Sequence, residues 1–577
     1  MSSVPPPGTP VTLSAHAVFR AARDVLLRHA GDPERARAEF AWPVFEYFNW
    51  AVDWFDVIAA GNRATALRVL TPDGETRVDF RTLSVRSDQV AGWLAARGVG
   101  PGERVLLLLD NGVEVWELLL ALMKLRAVAV PVFTTLPAAE VKERLGRSRA
   151  RHVVASASVA DTLEGVAVPG ARVLVGGERP GWQAYGDSVR HSGPRPQTEP
   201  TPANEVMSCF FTSGSTARPK LVAHTHVSYP VGHLTGMYWA GFRPGDVHLN
   251  ISSPGWAKHP WSSFFAPWNA EATIVSVDTR HADPEFVIDA LERTGATTFC
   301  APPSIWRALI RAGLGGRRVA LREAMSVGEP LTRDIVTAVR EAWGVTVRNG
   351  YGQSEVTAMA GVTAGSADDP RSLGRALPGC ELVLCPVDGD TPGEEGEICL
   401  DLSGGLPSLM HGYLDDDGRR IGVDPASLPL YRTGDLAHRA DDGSLAFIGR
   451  VKDVFRAADG RLVAPAALEA VLLEHPAVHE VGVVTVPESA GGDGPLVAKA
   501  HVVPAAGWNA GPVTAQALLR HARGDGELAG LSVVEFADEL PRTESGKIYR
   551  EALRAQLRSH LVEFVAPVEA SAAEGHD

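Results

Sequence analysis

A polar loop near the middle of the chain carries the residue types that bind phosphate. The stretch TSGSTARPK, from Thr212 to Lys220, follows the apolar run VMSCFF and combines hydroxyl groups, a glycine and a terminal lysine. Backbone N–H groups, hydroxyls and an ammonium all donate hydrogen bonds to phosphate oxygens. The GxxxxGK[ST] spacing of a Walker A loop is absent. We therefore expect a phosphate site at a strand end; the alternative is a flexible connection with a solvated lysine.

Five further motifs follow the loop along the chain. They are SVGEP (326–330), NGYGQSE (349–355), YRTGDL (431–436), IGRVKD (448–453) and LPRTESGKIYR (540–550). In this order they resemble the adenylate-forming superfamily of acyl-CoA synthetases, firefly luciferase and nonribosomal-peptide adenylation domains. The resemblance covers roughly residues 45 to 555 and is nearest to medium-chain-type acyl-CoA synthetases, with a hinge segment similar to long-chain ones.

The resemblance implies a binding site for ATP. Ala217 stands where the family's phosphate loop has a second glycine. Asp435 resembles the carboxylate that accepts both ribose hydroxyls, and Arg450 the arginine near the ribose and phosphates. The residues expected to surround the phosphates and adenine are Thr212, Ser213, Gly214, Ser215, Thr216, Lys220, Gly328, Glu329, Pro330, Tyr351, Gly352, Gln353 and Ser354.

Three residues are expected to carry the chemistry of adenylation. Joining a carboxylate to the α-phosphate of ATP brings anions together, so cations must offset their charge. Lys547 resembles the family lysine that bridges the carboxylate and α-phosphate oxygens, and Lys220 is the cation of the phosphate loop. Glu355 resembles the family's Mg²⁺ ligand, since Mg²⁺ is commonly held by one carboxylate and substrate phosphates.

The segment from 250 to 274 resembles the one that opens the acyl pocket of acetyl-CoA and medium-chain acyl-CoA synthetases. It lacks the Asp that holds the amino group in amino-acid adenylation domains. We expect a small-molecule carboxylic acid with a hydrophobic acyl, aryl or polycyclic group. The candidate pocket residues, each aromatic one of which could instead belong to the core, are Trp256, Trp261, Phe264, Phe265, Trp268 and Gly350.

The hinge segment bears on the second half-reaction. Lys452 and Asp453 are the expected pivot, and Asp459 stands where long-chain enzymes have a glycine. A charged side chain there would obstruct CoA, the expected second substrate. The first alternative is an adenylate-only ligase that passes acyl-AMP to a separate thiolation enzyme. Two others are a ligase that uses an amine or another acceptor, and a degenerate nucleotide-binding homologue.

The elements that position these residues predict an α/β fold. Short apolar runs alternate with amphipathic stretches from about Thr65 to Asp401, which favours layered, largely parallel sheets with helices. After residue 449 the pattern changes to short strands and helices. We expect a large N-terminal domain of layered mixed sheets (1–449), a mobile α+β C-terminal domain carrying Lys547 (450–577), a disordered final tail and a homodimer.

Composition excludes several classes of protein. The chain has 577 residues and a formal net charge of −14, which argues against binding nucleic acid through its overall field. Its five cysteines form no CxxC pair or cluster with histidine, so no disulfide framework or zinc site is indicated. Neither a signal peptide nor a membrane span is predicted, and we expect a cytoplasmic protein.

Overall fold

The structure is a computed structural model, and its chain divides into two compact units. The first unit comprises Met1–Gly328, Ile335–Glu381 and Asp401–Tyr431, and the second comprises Glu329–Asp334, Leu382–Leu400 and Arg432–Asp577. The described residues are 13–196, 199–212, 218–278, 283–387, 393–422, 429–456, 462–487, 496–523, 531–543, 547–555 and 563–565.

Helices in the described residues are mostly short and amphipathic. Two π-helical segments, Trp50–Phe55 and Trp261–Phe265, and two 3₁₀ segments, Ala157–Leu163 and Tyr185–Arg190, accompany the α-helices. The α-helices are α1 (Ala15–Arg28), α2 (Pro33–Glu39), α3 (Asp56–Ala59), α4 (Phe80–Ala95), α5 (Val113–Lys124), α6 (Ala138–Ser148), α7 (His233–Ala240), α8 (Lys258–Pro260), α9 (Ala266–Asn269), α10 (Pro284–Thr294), α11 (Pro303–Ala312), α12 (Arg333–Trp343), α13 (Pro465–Leu473), α14 (Pro512–Arg523) and α15 (Arg550–Ala555).

Strands occur throughout the described chain. They are β1 (Thr65–Thr71), β2 (Gly74–Asp79), β3 (Arg104–Leu108), β4 (Val128–Pro131), β5 (His152–Ser156), β6 (Arg172–Val175), β7 (Gln183–Ala184), β8 (Val206–Thr212), β9 (Lys220–Thr225), β10 (Val247–Asn250), β11 (Thr273–Val277), β12 (Thr298–Cys300), β13 (Glu323–Val327), β14 (Val347–Gln353), β15 (Val356–Gly361), β16 (Arg375–Ala376), β17 (Leu382–Cys385), β18 (Glu395–Asp401), β19 (Gly412–Leu414), β20 (Arg420–Ile421), β21 (Leu430–Arg439), β22 (Leu445–Arg450), β23 (Phe455–Arg456), β24 (Leu462–Val463), β25 (Val478–Pro487), β26 (Leu496–Pro504), β27 (Leu531–Phe536) and β28 (Glu563–Val565).

The first unit is built on two mixed sheets whose central strands are parallel. In the described residues each sheet has nine strands, in the orders β16-β15-β14-β13-β12-β10-β11-β1-β2 and β20-β19-β9-β8-β4-β3-β5-β6-β7. Helices such as α5 bury apolar faces against the sheets, because a parallel sheet is stable only when both faces are covered. Parallel pairing of β13 and β14 places the ends of two predicted nucleotide-binding motifs at one sheet edge.

The second unit contains smaller sheets with their own core. In the described residues their strand orders are β17-β18-β21-β22, β23-β24 and β25-β26-β27-β28. Leu468 and Leu472 of α13 and Leu518 of α14 pack with the buried valines of β25 and β26. This separate core accounts for the change of sequence pattern after residue 449.

The predicted fold class is confirmed. Apolar runs between Thr65 and Asp401 form strands such as β3, β5, β6 and β11, and the amphipathic stretch after β3 forms α5. After residue 449, the short strands β23 and β24 pair in antiparallel fashion, and the residues between them lie outside the described part of the chain. The domain boundary between residues 449 and 450 stays a prediction; the second compact unit also includes strands from earlier in the chain.

Candidate active site

The two ends of the predicted phosphate loop lie opposite each other on paired strands. Thr212 ends β8, Lys220 begins β9, and the two residues are partners in the antiparallel register. The residues from 213 to 217 lie outside the described part of the chain, so their role stays a prediction. The Thr212 hydroxyl is buried, and among the described residues it has no hydrogen-bond partner. Such a hydroxyl is suited to bind a polar atom of a ligand.

Arg218 fixes the described end of this loop to two acidic side chains. Its Nε donates to Oε1 of Glu143 on α6 at 3.0 Å, and its Nη1 donates to Oδ2 of Asp416 at 2.8 Å. Arg218 is exposed, so each ion pair contributes little to the free energy of unfolding. The pairs nevertheless restrict the path of the chain just before Lys220.

A tyrosine that the motifs did not indicate joins Lys220 to Glu355. Tyr413 lies on β19, which pairs with β9. Lys220 Nζ lies 4.6 Å from the centroid of the Tyr413 ring, and the Tyr413 hydroxyl donates to Oε1 of Glu355 at 2.9 Å. Burial and the Glu355 carboxylate raise the pKa of Tyr413, so the phenol stays protonated and keeps donating. One side chain therefore brings together the loop cation and the predicted metal ligand.

Gln353 links two further tyrosines in the same unit. Its Nε2 donates to the hydroxyl of Tyr351 at 3.3 Å, and its Oε1 accepts from the hydroxyl of Tyr431 at 3.5 Å. Burial, followed by the charge of Glu355, raises the pKa of Tyr431. Tyr431 is the first residue of the YRTGDL motif, and the motif alone indicated no role for it.

The backbone before Glu355 is held by a neutral histidine. His224 Nε2 lies 2.7 Å from the carbonyl oxygen of Ser354, and its Nδ1 lies 2.9 Å from the Ser228 hydroxyl. Because a carbonyl only accepts, the ring proton is on Nε2 and Ser228 donates to Nδ1. Burial lowers the pKa of His224 to about 4. The Met410 N–H also donates to the Glu355 carbonyl at 2.8 Å.

Two glycines of the predicted nucleotide motifs have physical reasons to be glycine. Gly328 has a φ of +96°, a conformation that L side chains rarely adopt. A Cβ at Gly352 would lie 2.5 Å from the carbonyl oxygen of Thr357. Glu329 and Pro330 belong to the second unit whereas Tyr351 belongs to the first, so a shared adenine site stays a prediction.

In the second unit, Asp435 and Arg450 face each other across paired strands. They are partners in the register of β21 and β22, and Arg450 Nε lies 3.2 Å from Oδ1 of the buried Asp435. Glu397 of β18 holds the preceding residues of β21 by accepting from Gly434 N–H and from Nη1 of Arg432, both at 2.7 Å. These hydrogen bonds restrict the strand that carries the predicted ribose-binding carboxylate.

Lys547 belongs to the same unit and experiences the same charges. Burial lowers the pKa of Lys547; the Arg450 cation lowers it as well, while Glu329 and Asp435 raise it. The Lys547 carbonyl accepts from Thr543 N–H at 2.7 Å, which closes its loop. The predicted catalytic lysine is thus electrostatically coupled to three other predicted site residues.

Trp261 and Gly350, two candidate pocket residues, both contact the side chain of Trp239. The Trp261 and Trp239 rings stack with centroids 5.7 Å apart. A Cβ at Gly350 would lie 2.4 Å from the Trp239 ring, so only glycine fits beside this buried indole. The Trp261 Nε1 is buried and has no hydrogen-bond partner among the described residues. Trp239 was missed because its sequence distance from both partners leaves no local pattern.

The other candidate aromatics differ in their surroundings. Trp256 is partly buried against the core and lies 5.4 Å from Lys258 Nζ, measured to its ring centroid. Phe264 and Trp268 are fully buried, and the Trp268 Nε1 donates to Ala66 O at 3.1 Å. Phe265 borders a cavity of about 30 Å³ that is otherwise lined mainly by aliphatic side chains of β3, β4 and α5. Phe264 and Trp268 therefore lie in the core, and Phe265 borders apolar space.

The predicted pivot residues lie among basic side chains. Burial lowers the pKa of Lys452; the Asp453 carboxylate raises it, and the cations of Arg450, Arg554 and Arg550 lower it. Asp453 is itself buried and paired with Arg554. The turn residue Asp459 lies outside the described residues.

Comparison with known proteins identifies the family. A profile described as AMP-binding enzyme matches residues 56–414, and one described as AMP-binding enzyme C-terminal domain matches residues 467–547. The chain therefore belongs to the AMP-binding enzyme family, which confirms the predicted adenylate-forming superfamily and the predicted class of AMP-forming ligase.

Named relatives cover most of the chain. It is 34% identical to 4-hydroxybutyrate--CoA ligase 1 of Metallosphaera sedula, over 88% of this chain and 90% of that protein. It is 29% identical to the human mitochondrial acyl-coenzyme A synthetase ACSM3, over 94% and 95% of the two chains. The crystal structure of the anthranilate CoA ligase AuaEII with anthranoyl-AMP matches with a TM-score of 0.77 at 25% identity, covering 89% and 98%.

Two properties of the whole chain complete the description. All five cysteines are buried, and none of them forms a disulfide. In the described part of the chain, no helix is both long and apolar enough to cross a membrane.

Proposed function

We propose that this protein is an ATP-dependent carboxylic-acid:CoA ligase that acts through an acyl-AMP intermediate. The observation that carries the proposal is the cluster of Lys220, Tyr413 and Glu355, which unites a phosphate-loop cation with a carboxylate suited to a magnesium nucleotide. CoA ligases among its relatives support CoA as the acceptor.

In the first half-reaction, a carboxylate oxygen of the acid attacks the α-phosphorus of ATP. A bond forms between that oxygen and phosphorus, the bond from phosphorus to the bridging oxygen breaks, and pyrophosphate leaves. Lys547 offsets the charge shared by the carboxylate and the α-phosphate, and Lys220 offsets the charge of the departing phosphates. Asp435 accepts from the ribose hydroxyls, with Arg450 beside it.

Mg²⁺ fits the donor set as an ion that arrives with the nucleotide. Within the described residues no group of three or more His, Cys, Asp or Glu side chains is arranged to hold a metal ion. Glu355 supplies a single carboxylate, which suits an ion whose other ligands are phosphate oxygens and water. The Thr212 hydroxyl, which has no hydrogen-bond partner among the described residues, is a further polar atom that a phosphate could contact. When bound, Mg²⁺ neutralises phosphate charge; the protein's part is to orient Glu355 through Tyr413.

A hydrophobic acyl, aryl or polycyclic acid is the proposed substrate. The partly buried ring of Trp261, stacked on Trp239, offers an apolar surface for such a group. Burying apolar surface contributes roughly 25 cal/mol per Å², so an extended acyl or aryl group gains more binding free energy than acetate.

In the second half-reaction, the sulfur of CoA attacks the acyl carbonyl carbon and the thiol proton passes to solvent. A carbon–sulfur bond forms, the bond from the acyl carbon to the phosphate oxygen breaks, and AMP leaves. We propose that the C-terminal domain pivots at Lys452 and Asp453 and withdraws Lys547 between the half-reactions. The alternative, an adenylate-only ligase with a separate thiolation enzyme, rests on Asp459 alone. We further propose a cytoplasmic location, consistent with sparse, free thiols, and a homodimer by analogy.

Mass spectrometry of reaction products tests the proposal. Purified protein is incubated with Mg·ATP and a panel of medium-chain, aromatic and polycyclic acids, with and without CoA. We expect acyl-AMP without CoA, and acyl-CoA with AMP when CoA is added. Acyl-AMP that persists unchanged in the presence of CoA would instead support the adenylate-only ligase.

A further inference from the structure

Helix α15 follows the predicted catalytic lysine and reaches the predicted pivot. It begins at Arg550, three residues after Lys547. Near its end, Arg554 Nη2 donates to Oδ1 of Asp453 at 2.8 Å. The Asp453 side chain is only 9% exposed and that of Arg554 31% exposed. A partly buried, charge-assisted hydrogen bond of this kind is stronger than an exposed ion pair.

The helix is firmly attached to the second unit. A Cβ at Gly482 of β25 would lie 2.7 Å from Leu553 and 3.0 Å from Ile548, so both side chains pack directly on that strand. Arg550 Nε donates to Oε1 of the buried Glu469 at 3.2 Å. The segment from Lys547 to Arg554 therefore moves as one body with the strand beneath it.

The pivot is otherwise rich in positive charge. Lys452 is adjacent to Asp453 in sequence, and Arg450 and Arg550 are near enough to act on Lys452 electrostatically. Arg450 is paired with Asp435 and Arg550 with Glu469, whereas Asp453 is paired with Arg554. The ion pair with Arg554 fixes the direction in which the Asp453 side chain points.

We propose that Arg554 is a positioning residue that, through its ion pair with Asp453, holds the pivot in the conformation used for adenylation. The inference rests on the proposed two-step function. Rotation about the Cα–C bond of Asp453 leaves its side chain with the preceding segment and carries α15 away from it, so such a pivot breaks the ion pair in the rotated state. A contact made in only one state shifts the equilibrium towards that state. Arg554 therefore favours adenylation over thioester formation.

The test measures the two half-reactions separately in the full-length enzyme. Acyl-AMP formation is followed in a single turnover without CoA, and acyl transfer is followed from pre-formed acyl-AMP to CoA. For Arg554→Gln we expect acyl-AMP formation five- to tenfold slower, with acyl transfer unchanged or faster. Arg554→Lys should recover at least half of the lost rate. Arg520→Gln, which removes an exposed cation from α14 of the same unit, should match the wild type.

Equal slowing of both half-reactions in Arg554→Gln, or no slowing of either, would overturn the inference. Failure of the wild type to form acyl-AMP would instead refute the proposed function, so the two failures are distinguishable.

A second variant guards against misfolding of Arg554→Gln. Asp453→Asn breaks the same ion pair from the other side, and we expect the same direction of change in the ratio of the two rates. In the double variant this ratio should equal that of either single variant, because both substitutions remove the same interaction. If the effects of the two substitutions on this ratio were additive, in variants whose thermal unfolding is unchanged, Arg554 and Asp453 would not act through their ion pair.

Discussion

At the scale of single residues, the site depends on a side chain that no motif announced. Tyr413 contacts Lys220 with its ring face and Glu355 with its hydroxyl. The three residues are separated by 58 to 193 positions in the chain. Pairing of β19 with β9 brings Tyr413 near Lys220, and the hydrogen bond from Met410 N–H to the Glu355 carbonyl holds Glu355 beside the same segment. Because Tyr413 acts through its two neighbours, we propose that it is a positioning residue for the nucleotide.

Replacing Tyr413 with Phe should weaken the use of the magnesium nucleotide. The change removes one hydrogen bond to a carboxylate, an interaction of about 1.5–3 kcal/mol, so we expect a fall of about tenfold or more in kcat/KM for Mg·ATP. Pyrophosphate release at varied Mg²⁺ should show a higher half-saturating concentration. Tyr413→Leu also removes the ring from Lys220 and should be worse; equal kinetics for wild type and Tyr413→Phe would show that the hydroxyl is idle.

The lowered pKa of Lys547 predicts the pH dependence of adenylation. Burial lowers this pKa, and the ammonium must be charged to offset the phosphate. The rate of acyl-AMP formation should therefore fall as pH rises through a pKa below the usual 10.4 or so of lysine. Single-turnover rates between neutral and alkaline pH measure this limb. Lys547→Ala should lose at least about a hundredfold in this step and lack the limb, while still transferring pre-formed acyl-AMP to CoA.

At the scale of elements, two tryptophans seven residues apart in the chain have different surroundings. Trp261 begins a π-helical segment and stacks on Trp239, whereas Trp268 lies in α9 among the rings of Phe55 and Phe264. The Trp268 Nε1 has a backbone acceptor, while the buried Trp261 Nε1 has no partner among the described residues. The spacing alone made both equal candidates for the pocket.

Paired substitutions should separate pocket from core. Trp268→Phe removes the hydrogen bond to the Ala66 carbonyl and leaves a space in the core, which should lower the free energy of unfolding by about 2 kcal/mol or more. Trp261→Phe should cost less than about 1 kcal/mol but change the ratio of kcat/KM for aryl and short-chain acids. Urea denaturation and steady-state kinetics on both variants measure these effects. An unchanged acid preference in Trp261→Phe would place Trp261 in the core.

At the scale of the whole molecule, buried neutral histidines make the first unit sensitive to acid. Burial lowers the pKa of His224 to about 4 and those of His226, His248 and His259 to about 3. In the unfolded chain each titrates near 6.5, so below that pH the unfolded state binds more protons and is favoured. The contribution of these histidines to the free energy of unfolding should be fully present above about pH 6.5 and should fall as the pH drops towards 4.

This acid sensitivity is measurable by denaturation at fixed pH. Between about pH 6 and 4.5, the four histidines together should lower the free energy of unfolding by at most roughly 5 kcal/mol for each pH unit. Urea midpoints at pH 7.5, 6 and 5 should therefore decrease steeply. His226 has no hydrogen-bond partner for either ring nitrogen among the described residues, so His226→Leu removes one proton site cleanly. That variant should show a slope lower by about 1.4 kcal/mol per pH unit; an unchanged slope would contradict burial as the cause.

Much of the fold could be predicted from the sequence because the patterns that indicate its helices and strands are local. The apolar runs that became β3, β5 and β11, and the amphipathic run of α5, follow from side-chain periodicity over fewer than fifteen residues. The family was equally readable, because its motifs are short and occur in order. Which strands pair, and in which of the two large sheets, depends on contacts between distant segments and is not encoded in any one run.

The sequence by itself determined the class of chemistry, since Lys220, Glu355, Asp435, Arg450 and Lys547 lie in motifs that each need only a few neighbouring residues. Only the tertiary structure decided how some of these groups are supported. Tyr413 on Glu355, His224 on the Ser354 carbonyl and Arg554 on Asp453 are contacts between segments far apart in the chain. The physical reason is that hydrogen bonds and ion pairs act over a few ångströms of space, whatever the separation in sequence.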